Sequence, residues 1–277
     1  MPNGLVDLHM HSLASDGEFS SSKLVRMGLE KSLEAVAITD HDCTTAIDEA
    51  IAAAQDQPIR VIPGIELSAE FYDQEVHVLG YFINYHDENL QLILEVFRAA
   101  RLRRTELIVK KLNKFGILVS IDRVKEIAKG EVIGRPFVAM ALIELGYVES
   151  ITEGFEKYLN NGCPGYVERL LEVTPKDAIR IIRQVGGVPV LAHPKNYKDL
   201  IPKLAEIGLV GLEVYYGSYS PELRAELSTI ADQYNLIKTG GSDFHSPTNT
   251  RYGRFGESNT PASVVKDLER CWQSENK

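Results

Sequence analysis

Histidine is scarce in this chain, seven in 277 residues, yet two stand at alternate positions in the segment DLHMHSLASDGE, Asp7 to Glu18. Alternate side chains of an extended strand point to one face, so His9 and His11 aim two imidazoles at one spot. Asp16 follows in a Ser-Asp-Gly turn. Two readings fit: a solvated strand face, or a metal, for which neutral imidazole is the commonest ligand. Other short segments decide between them. TDHD carries Asp40 and His41, PGIEL carries Glu66, and EVHVLGY carries His77. LAHP carries His193, and GSDFH carries Asp243 and His245. Each segment sits at or in an apolar run, and only His86 falls outside the set. So many independent runs delivering imidazole or carboxylate point to a polynuclear metal site.

The elements that must position these residues alternate in type. Strand patterns occur at GLVDLH, LEAVAIT, IRVIPGIEL, EVHVLGYFI, VPVLAH, LVGLEVYY and LIKTGGSDFH, seven in all. Helical patterns fall between most of them, as in SSSKLVRMGLEKS, where a serine can cap the start, and TPKDAIRIIRQVG, with Pro175 just inside it. Strand followed by helix, repeated, predicts an α/β fold, a seven-stranded (β/α) barrel. Barrel enzymes build their sites at the C-terminal ends of the strands, where six of the seven histidines fall on this reading.

Residues 88–165 interrupt the alternation and are too many for a loop. Helical period returns in LQLILEVFRAARLRRTELIVKKLNKFG and RPFVAMALIELG. The expected organisation is a barrel domain, residues 1–87 and 166–277, with a helical insertion, residues 88–165, over the active site. The insertion holds 12 Lys and Arg against 10 Asp and Glu, a net of +2, whereas the remainder carries −11. It is the natural place to receive an anion. Arg98, Arg101, Arg103 and Arg104 crowd one helix, where each alone reads as part of a solvated face. Arg135 is sharper: Gly134 before it and Pro136 after it favour a tight turn opening a helix, and helix N-termini bind anions.

Composition sets the background. An apolar fraction of 44% supports a sizeable core, and a net charge of −9 argues against a protein that coats duplex DNA. Cys43, Cys163 and Cys271 are odd in number and widely spaced, which fits a reducing cytoplasm. No run approaches the roughly 18 apolar residues of a membrane helix, and the N-terminus lacks a signal-peptide pattern.

The set DLHMHSLASDG, AITDHD, PGIELSAE, EVHVLGY, VLAHP and GSDFH closely resembles, in order and over nearly the whole chain, the PHP family of phosphoesterases. GRPFVAMALIELGYV and GGVPVLAHP are most similar to a bacterial subgroup of nucleoside 3′,5′-bisphosphate phosphatases and enzymes that trim RNA from its 5′ end. The resemblance implies a distorted, TIM-like seven-stranded barrel and three divalent metal ions, manganese first, with iron or zinc also suited to the ligands. It implies His9, His11, Glu66 and Asp243 at one ion. Glu66, His77 and His193 would hold a second, and Asp16, His41 and His245 a third. No protein nucleophile is expected; a metal-bound hydroxide would attack phosphorus. In the subgroup an arginine at the place of Arg135 contacts substrate phosphate, and Arg101 and Arg104 are further candidates. The subgroup usually has histidine where this chain has Phe137, which is expected to pack in the insertion. The implied substrate is a small phosphorylated nucleotide or short single-stranded RNA, cut at the 3′-phosphate. Alternatives are a histidinol-phosphate phosphatase or a noncatalytic metal-binding module. Phe137, Tyr166, Tyr215 and Tyr216 are candidate shelves for a base.

Four residues near these motifs carry secondary expectations. Asp40 is a candidate acceptor orienting a metal-bound imidazole. Asp42 reads as the N-cap of the helix in CTTAIDEA. Glu213 is either a similar orienting acceptor or half of a rim salt bridge. Cys43 reads as a small packing residue.

Overall fold

A computed structural model of the chain describes residues 4–72, 74–248 and 252–276. The strands among them are β1 (Leu5–Asp7), β2 (Ala35–Ile38), β3 (Arg60–Phe71), β4 (Gln74–Tyr81), β5 (Val188–Leu191), β6 (Gly211–Tyr216), β7 (Ile237–Gly241) and β8 (Thr260–Pro261). The helices are α1 (Ser21–Glu30), α2 (Ile47–Ala54), α3 (Glu88–Lys114), α4 (Ile121–Ala128), α5 (Arg135–Glu144), α6 (Ile151–Gly154), α7 (Pro175–Gln184), α8 (Ile201–Glu206), α9 (Pro221–Gln233) and α10 (Ser263–Glu275). A π-helical turn, Phe155–Leu159, continues α6.

The strands form one sheet in the order β7-β6-β5-β4-β3-β2-β1-β8. Hydrogen bonds from Leu8 N to Gly240 O (3.3 Å), His11 N to Phe244 O (2.9 Å) and Asp243 N to His9 O (2.7 Å) draw its two ends together into a barrel. The seven expected strands are present, and β8 is an addition: two residues antiparallel to β1, too short to leave a periodic signal. A second difference concerns β4, which runs antiparallel to both β3 and β5. Only two residues of sequence separate β3 from β4, too few for a crossover helix, and a link that short can only reverse the chain.

Alternation decides what each strand offers. In β3, Ile65, Leu67 and Ala69 pack among the residues of β4, α3, α7 and α8. The intervening Glu66 and Ser68 therefore face the other way, and both are buried. β2, Ala-Val-Ala-Ile, is buried throughout, as expected of a strand covered on both faces. Helix ends follow the local chemistry. Ser20 caps α1 by accepting from Lys23 N, and Thr174 and Asp177 form a reciprocal capping box on α7 with Pro175 at its first turn.

Helix α3 is tied to two cores. Leu90, Leu94 and Phe97 of its first half pack with the sheet. Ile108, Val109 and Leu112 of its second half pack with Val124, Phe137, Val138, Leu142 and Leu159. At 27 residues it extends about 40 Å and links the two. No helix among the described residues is long and apolar enough to cross a membrane.

Candidate active site

The site grows from the crossing of β1 and β7. Both chains continue past their strands side by side, Met10 bridging Phe244. A Cβ on Gly241 would lie 2.3 Å from the backbone nitrogen of His9, so only glycine permits this approach. Gly17 serves the turn carrying Asp16 in the same way, with a Cβ there falling 2.1 Å from the His11 carbonyl oxygen. His193 and Asp243 adopt left-handed backbone (φ +30° and +54°), strain of the kind that functional sites hold.

Glu66 is the centre. One oxygen lies 3.0 Å from His77 Nδ1, 3.2 Å from His193 Nε2 and 3.4 Å from His9 Nε2. The other lies 3.0 Å from His41 Nδ1 and 3.2 Å from His11 Nε2. A single carboxylate thus faces five imidazoles. Asp243 Oδ1 approaches His9 and His11 at 3.3 and 3.0 Å, while its Oδ2 accepts from the Tyr216 hydroxyl at 2.7 Å. Asp16 Oδ1 lies 3.4 Å from His245 Nε2, 3.7 Å from His11 Nδ1 and 4.0 Å from His41 Nε2.

All nine side chains singled out in the sequence are therefore brought together. His77 reaches the rim from the start of an antiparallel strand, the end that faces the other strands' C-termini. His86 is elsewhere, exposed beside Asp48. Three groups have ligand atoms within 4.8 Å of one another: His11, Asp16, His41 and His245; His9, His11, Glu66 and Asp243; and His41, Glu66 and His77. His193 joins the last region, its Nε2 lying 3.2 Å from both His77 Nδ1 and Glu66.

The electrostatics suit cations. His9 Nε2, His11 Nε2, His41 Nδ1, His245 Nε2, Glu66 Oε2 and Asp16 Oδ1 are buried without a hydrogen-bond partner. Orphaned buried polar atoms are rare, and an ion is one of the few things that satisfies them. Burial opposes charge on Glu66, yet the surrounding imidazoles hold its carboxyl well below the usual range. Burial likewise opposes charge on His11 and His77, but Asp243 and Glu66 push the first up to about 10, and Glu66 pushes the second up to about 9. Burial pushes the His41 imidazole down.

Glu213 of β6 orients this shell. It lies 2.9 Å from His9 Nδ1, so that nitrogen carries the proton and Nε2 presents its lone pair inward. Its other oxygen accepts from His193 N at 2.7 Å. Asp40 acts one step further out than expected. It accepts from Ser12 N (2.7 Å), Ser12 Oγ (2.6 Å) and Ser15 Oγ (2.5 Å), which ties the turn before Asp16, and reaches His11 only through Ser15. Asp42 is no N-cap: α2 begins at Ile47 after Ala46. Asp42 has φ +48°, outside the extended region an N-cap adopts. Its carboxylate accepts instead from Ser68 N (2.9 Å) and Arg101 Nε (2.7 Å). Cys43 is buried, as expected of a packing residue. Asp7, which no sequence pattern marks, is fully buried and accepts from Ser242 N and Gly256 N, both at 2.8 Å, bracing the approach to Asp243.

Opposite the imidazoles lies a cationic wall of the same cavity, whose volume is about 620 Å³. Arg135 opens α5 behind Gly134, with Pro136 next, and stacks 5.2 Å over Phe155. Arg101, Arg104 and Arg169 line the wall beside it. Arg104 Nε donates to Val167 O at 2.9 Å. Burial, with Arg135, Arg169 and Arg101 nearby, pushes its guanidinium down to about 10. Phe137 is buried in the second core, with the later half of α3, α4 and α5, and offers no base shelf. Tyr166 and Tyr216 line the cavity, as do Phe155 and Asn161, whereas Tyr215 packs against the barrel. Phe155 and Arg169 leave no signal in the sequence, since loop and turn contacts alone bring them here.

Comparison with known proteins agrees with this geometry. Residues 7–133 match the PHP domain. The chain is 34% identical over 256 residues to the 5′-3′ exoribonuclease Rnm of Escherichia coli K12, covering 88% of this chain and 86% of that one. It is 33% identical over 250 residues to the 3′,5′-nucleoside bisphosphate phosphatase of Chromobacterium violaceum, covering 87% of each. A crystal structure from Bifidobacterium adolescentis, described as that of a metal-dependent phosphoesterase, superposes with a TM-score of 0.86 at 31% identity, covering 98% of this chain and 97% of that one. The chain belongs to the PHP-domain family of metal-dependent phosphoesterases.

Proposed function

We propose that the protein removes the 3′-phosphate from nucleoside 3′,5′-bisphosphates and, by the same cut, shortens 5′-phosphorylated single-stranded RNA. The observation that carries this reading is the pairing of two walls in one cavity: Glu66 among five imidazoles, and four guanidinium groups across from it. A substrate with two phosphates has a use for both walls. Histidinol phosphate, with one phosphate and an amine, has a use for only one. The relatives named above, an exoribonuclease and a bisphosphate phosphatase, support the same choice.

His9, His11, Glu66 and Asp243 would hold one divalent ion. Glu66, His77 and His193 would hold a second, and Asp16, His41 and His245 a third. The all-nitrogen-and-oxygen donor set suits manganese, with iron or zinc next. Bound cations there would acidify water and neutralise charge on the phosphoryl oxygens. The chain's own residues do the rest. Glu213 keeps the His9 lone pair inward, and Tyr216 fixes Asp243. Arg135 and Arg104 hold the remote phosphate, and Arg101 braces Asp42 beside them. We read residues 88–165 as the insertion that delivers these arginines. We place the protein in the cytoplasm, where its three unpaired cysteines are at home. Its net charge of −9 opposes binding to duplex DNA.

The test is product identification with adenosine 3′,5′-bisphosphate and the manganese-loaded protein. Adenosine 5′-monophosphate plus phosphate is the expected outcome. Adenosine 3′-monophosphate as the main product, or a preference for histidinol phosphate, overturns the reading.

A further inference from the structure

The cationic wall already holds an anion of its own. Glu75 stands two residues before His77 on β4, so the two side chains share a face. One Glu75 oxygen pairs with Arg135 and the other with Arg169. These arginines come from separate segments, the start of α5 and the loop before α7, and Glu75 is the carboxylate that both touch. A phosphate gripped by two guanidinium groups uses its oxygens in the same way.

Charge balance sharpens the point. Arg101 is paired with Asp42 at 2.7 Å, and Arg169 also with Glu70 at 3.1 Å. With Glu75, three carboxylates face four guanidinium groups, and among the described residues Arg104 has no carboxylate partner. The wall is nearly neutral as it stands. We propose that Glu75 occupies the seat of the substrate's second phosphate and competes with that phosphate, which binds by displacing the carboxylate from Arg135 and Arg169. This rests on the function proposed above.

The placement fits an exchangeable group. Glu75's side chain is 32% exposed and lines the cavity, so its carboxylate stands where an incoming anion meets it. Its approach to His77 Nε2, 3.7 Å, is too long for a hydrogen bond, so its short contacts are with the two arginines. A singly charged or neutral substituent gains little by replacing a carboxylate between two arginines. A phosphate dianion gains Arg104 as well.

The experiment compares Glu75→Gln and Arg169→Gln with the parent in the metal-loaded protein. It measures kcat/KM for adenosine 3′,5′-bisphosphate and for adenosine 3′-monophosphate, with bound metal quantified. Exchanging a charged resident for a neutral one widens the preference for the bisphosphate by about tenfold in Glu75→Gln, chiefly through a lower KM. Arg169→Gln narrows it by a similar factor, and both keep their metal. If Glu75→Gln narrows the preference as Arg169→Gln does, Glu75 is scaffolding and the proposal fails. Loss of metal in Glu75→Gln makes it a support for His77, and the proposal fails on that result too. If the parent itself shows no preference for the bisphosphate, the functional reading falls and takes the seat with it. A parental preference that Glu75→Gln leaves untouched removes the seat alone.

Discussion

The two walls of the cavity are built by opposite means. The imidazole wall stands on strand ends, and its central residues, His9, His11 and Glu66, are fully buried. Six strands, β1 to β5 and β7, contribute with their extensions, and Glu213, Asp7 and Tyr216 hold these residues from behind. The guanidinium wall stands on the middle of α3, the start of α5 and the loop before α7. Arg135, Arg169 and Arg101 keep 15–21% of their side-chain surface exposed; each pairs with a carboxylate, and the one shared by Arg135 and Arg169, Glu75, is itself 32% exposed. The first wall has unsatisfied atoms and no freedom to satisfy them itself. The second has satisfied atoms and freedom to exchange partners. A site that must hold ions permanently and release a product each cycle needs one wall of each kind.

The comparison breaks first at Glu66. Changing the support behind a metal ligand already costs about 10- to 100-fold in metal affinity or activity, and Glu66 faces five imidazoles directly. Glu66→Ala should lose more than about 100-fold in turnover of every phosphoester, a generic aryl phosphate included. Metal content should fall in parallel. Near-normal turnover with normal metal content would show that the walls do not divide the work as described.

Arg135→Ala should have a smaller and more selective effect. Hydrogen bonds to charged groups contribute about 1.5–3 kcal/mol, equivalent to roughly 10- to 100-fold in kcat/KM for a substrate bearing the remote phosphate. Metal content should stay unchanged, and the aryl phosphate, which has nothing to place on this wall, should be hydrolysed nearly as before. Steady-state kinetics on the two substrates separates the walls. An equal loss on both would mean that Arg135 acts on the metal side as well.

The same contrast governs what the sequence reveals. The nine imidazole and carboxylate residues are legible because strand alternation and strand-end position are local signals. His77 is legible although its strand runs the other way, since a period of two is the same in both directions. Asp42 misleads because an acid before a helical run is a common cap signal, and nothing local announces that Ser68 and Arg101 claim its carboxylate. Glu75 is readable in principle, two residues before His77. Arg169 and Phe155 are not, because only tertiary contacts bring their segments to the cavity. Nor does the even helical period of α3 mark where it passes from the sheet's core to the second one.

Phe137 offers the finest test of the division. It lies two residues beyond Arg135 on α5, buried with Val138, Ala139 and Leu142 in the second core. Its side chain faces that core and not the cavity, so its influence on chemistry must pass through the seating of α5. Phe137→Leu keeps an apolar group of similar reach, and hydrophobic exchanges of that kind usually cost less than about 1.5 kcal/mol. The melting temperature should fall by a few degrees, since about 1 kcal/mol moves a chain of this size by roughly 2–4 °C. A slightly looser α5 shifts Arg135, so KM for the bisphosphate should rise by a small factor. Aryl phosphate turnover and metal content should not move, because Phe137 is not among the residues that line the cavity. Thermal denaturation, metal quantification and the two kinetic assays on one preparation decide it. A drop in metal content alongside the fall in melting temperature would mean that this second core also holds the imidazole wall in place.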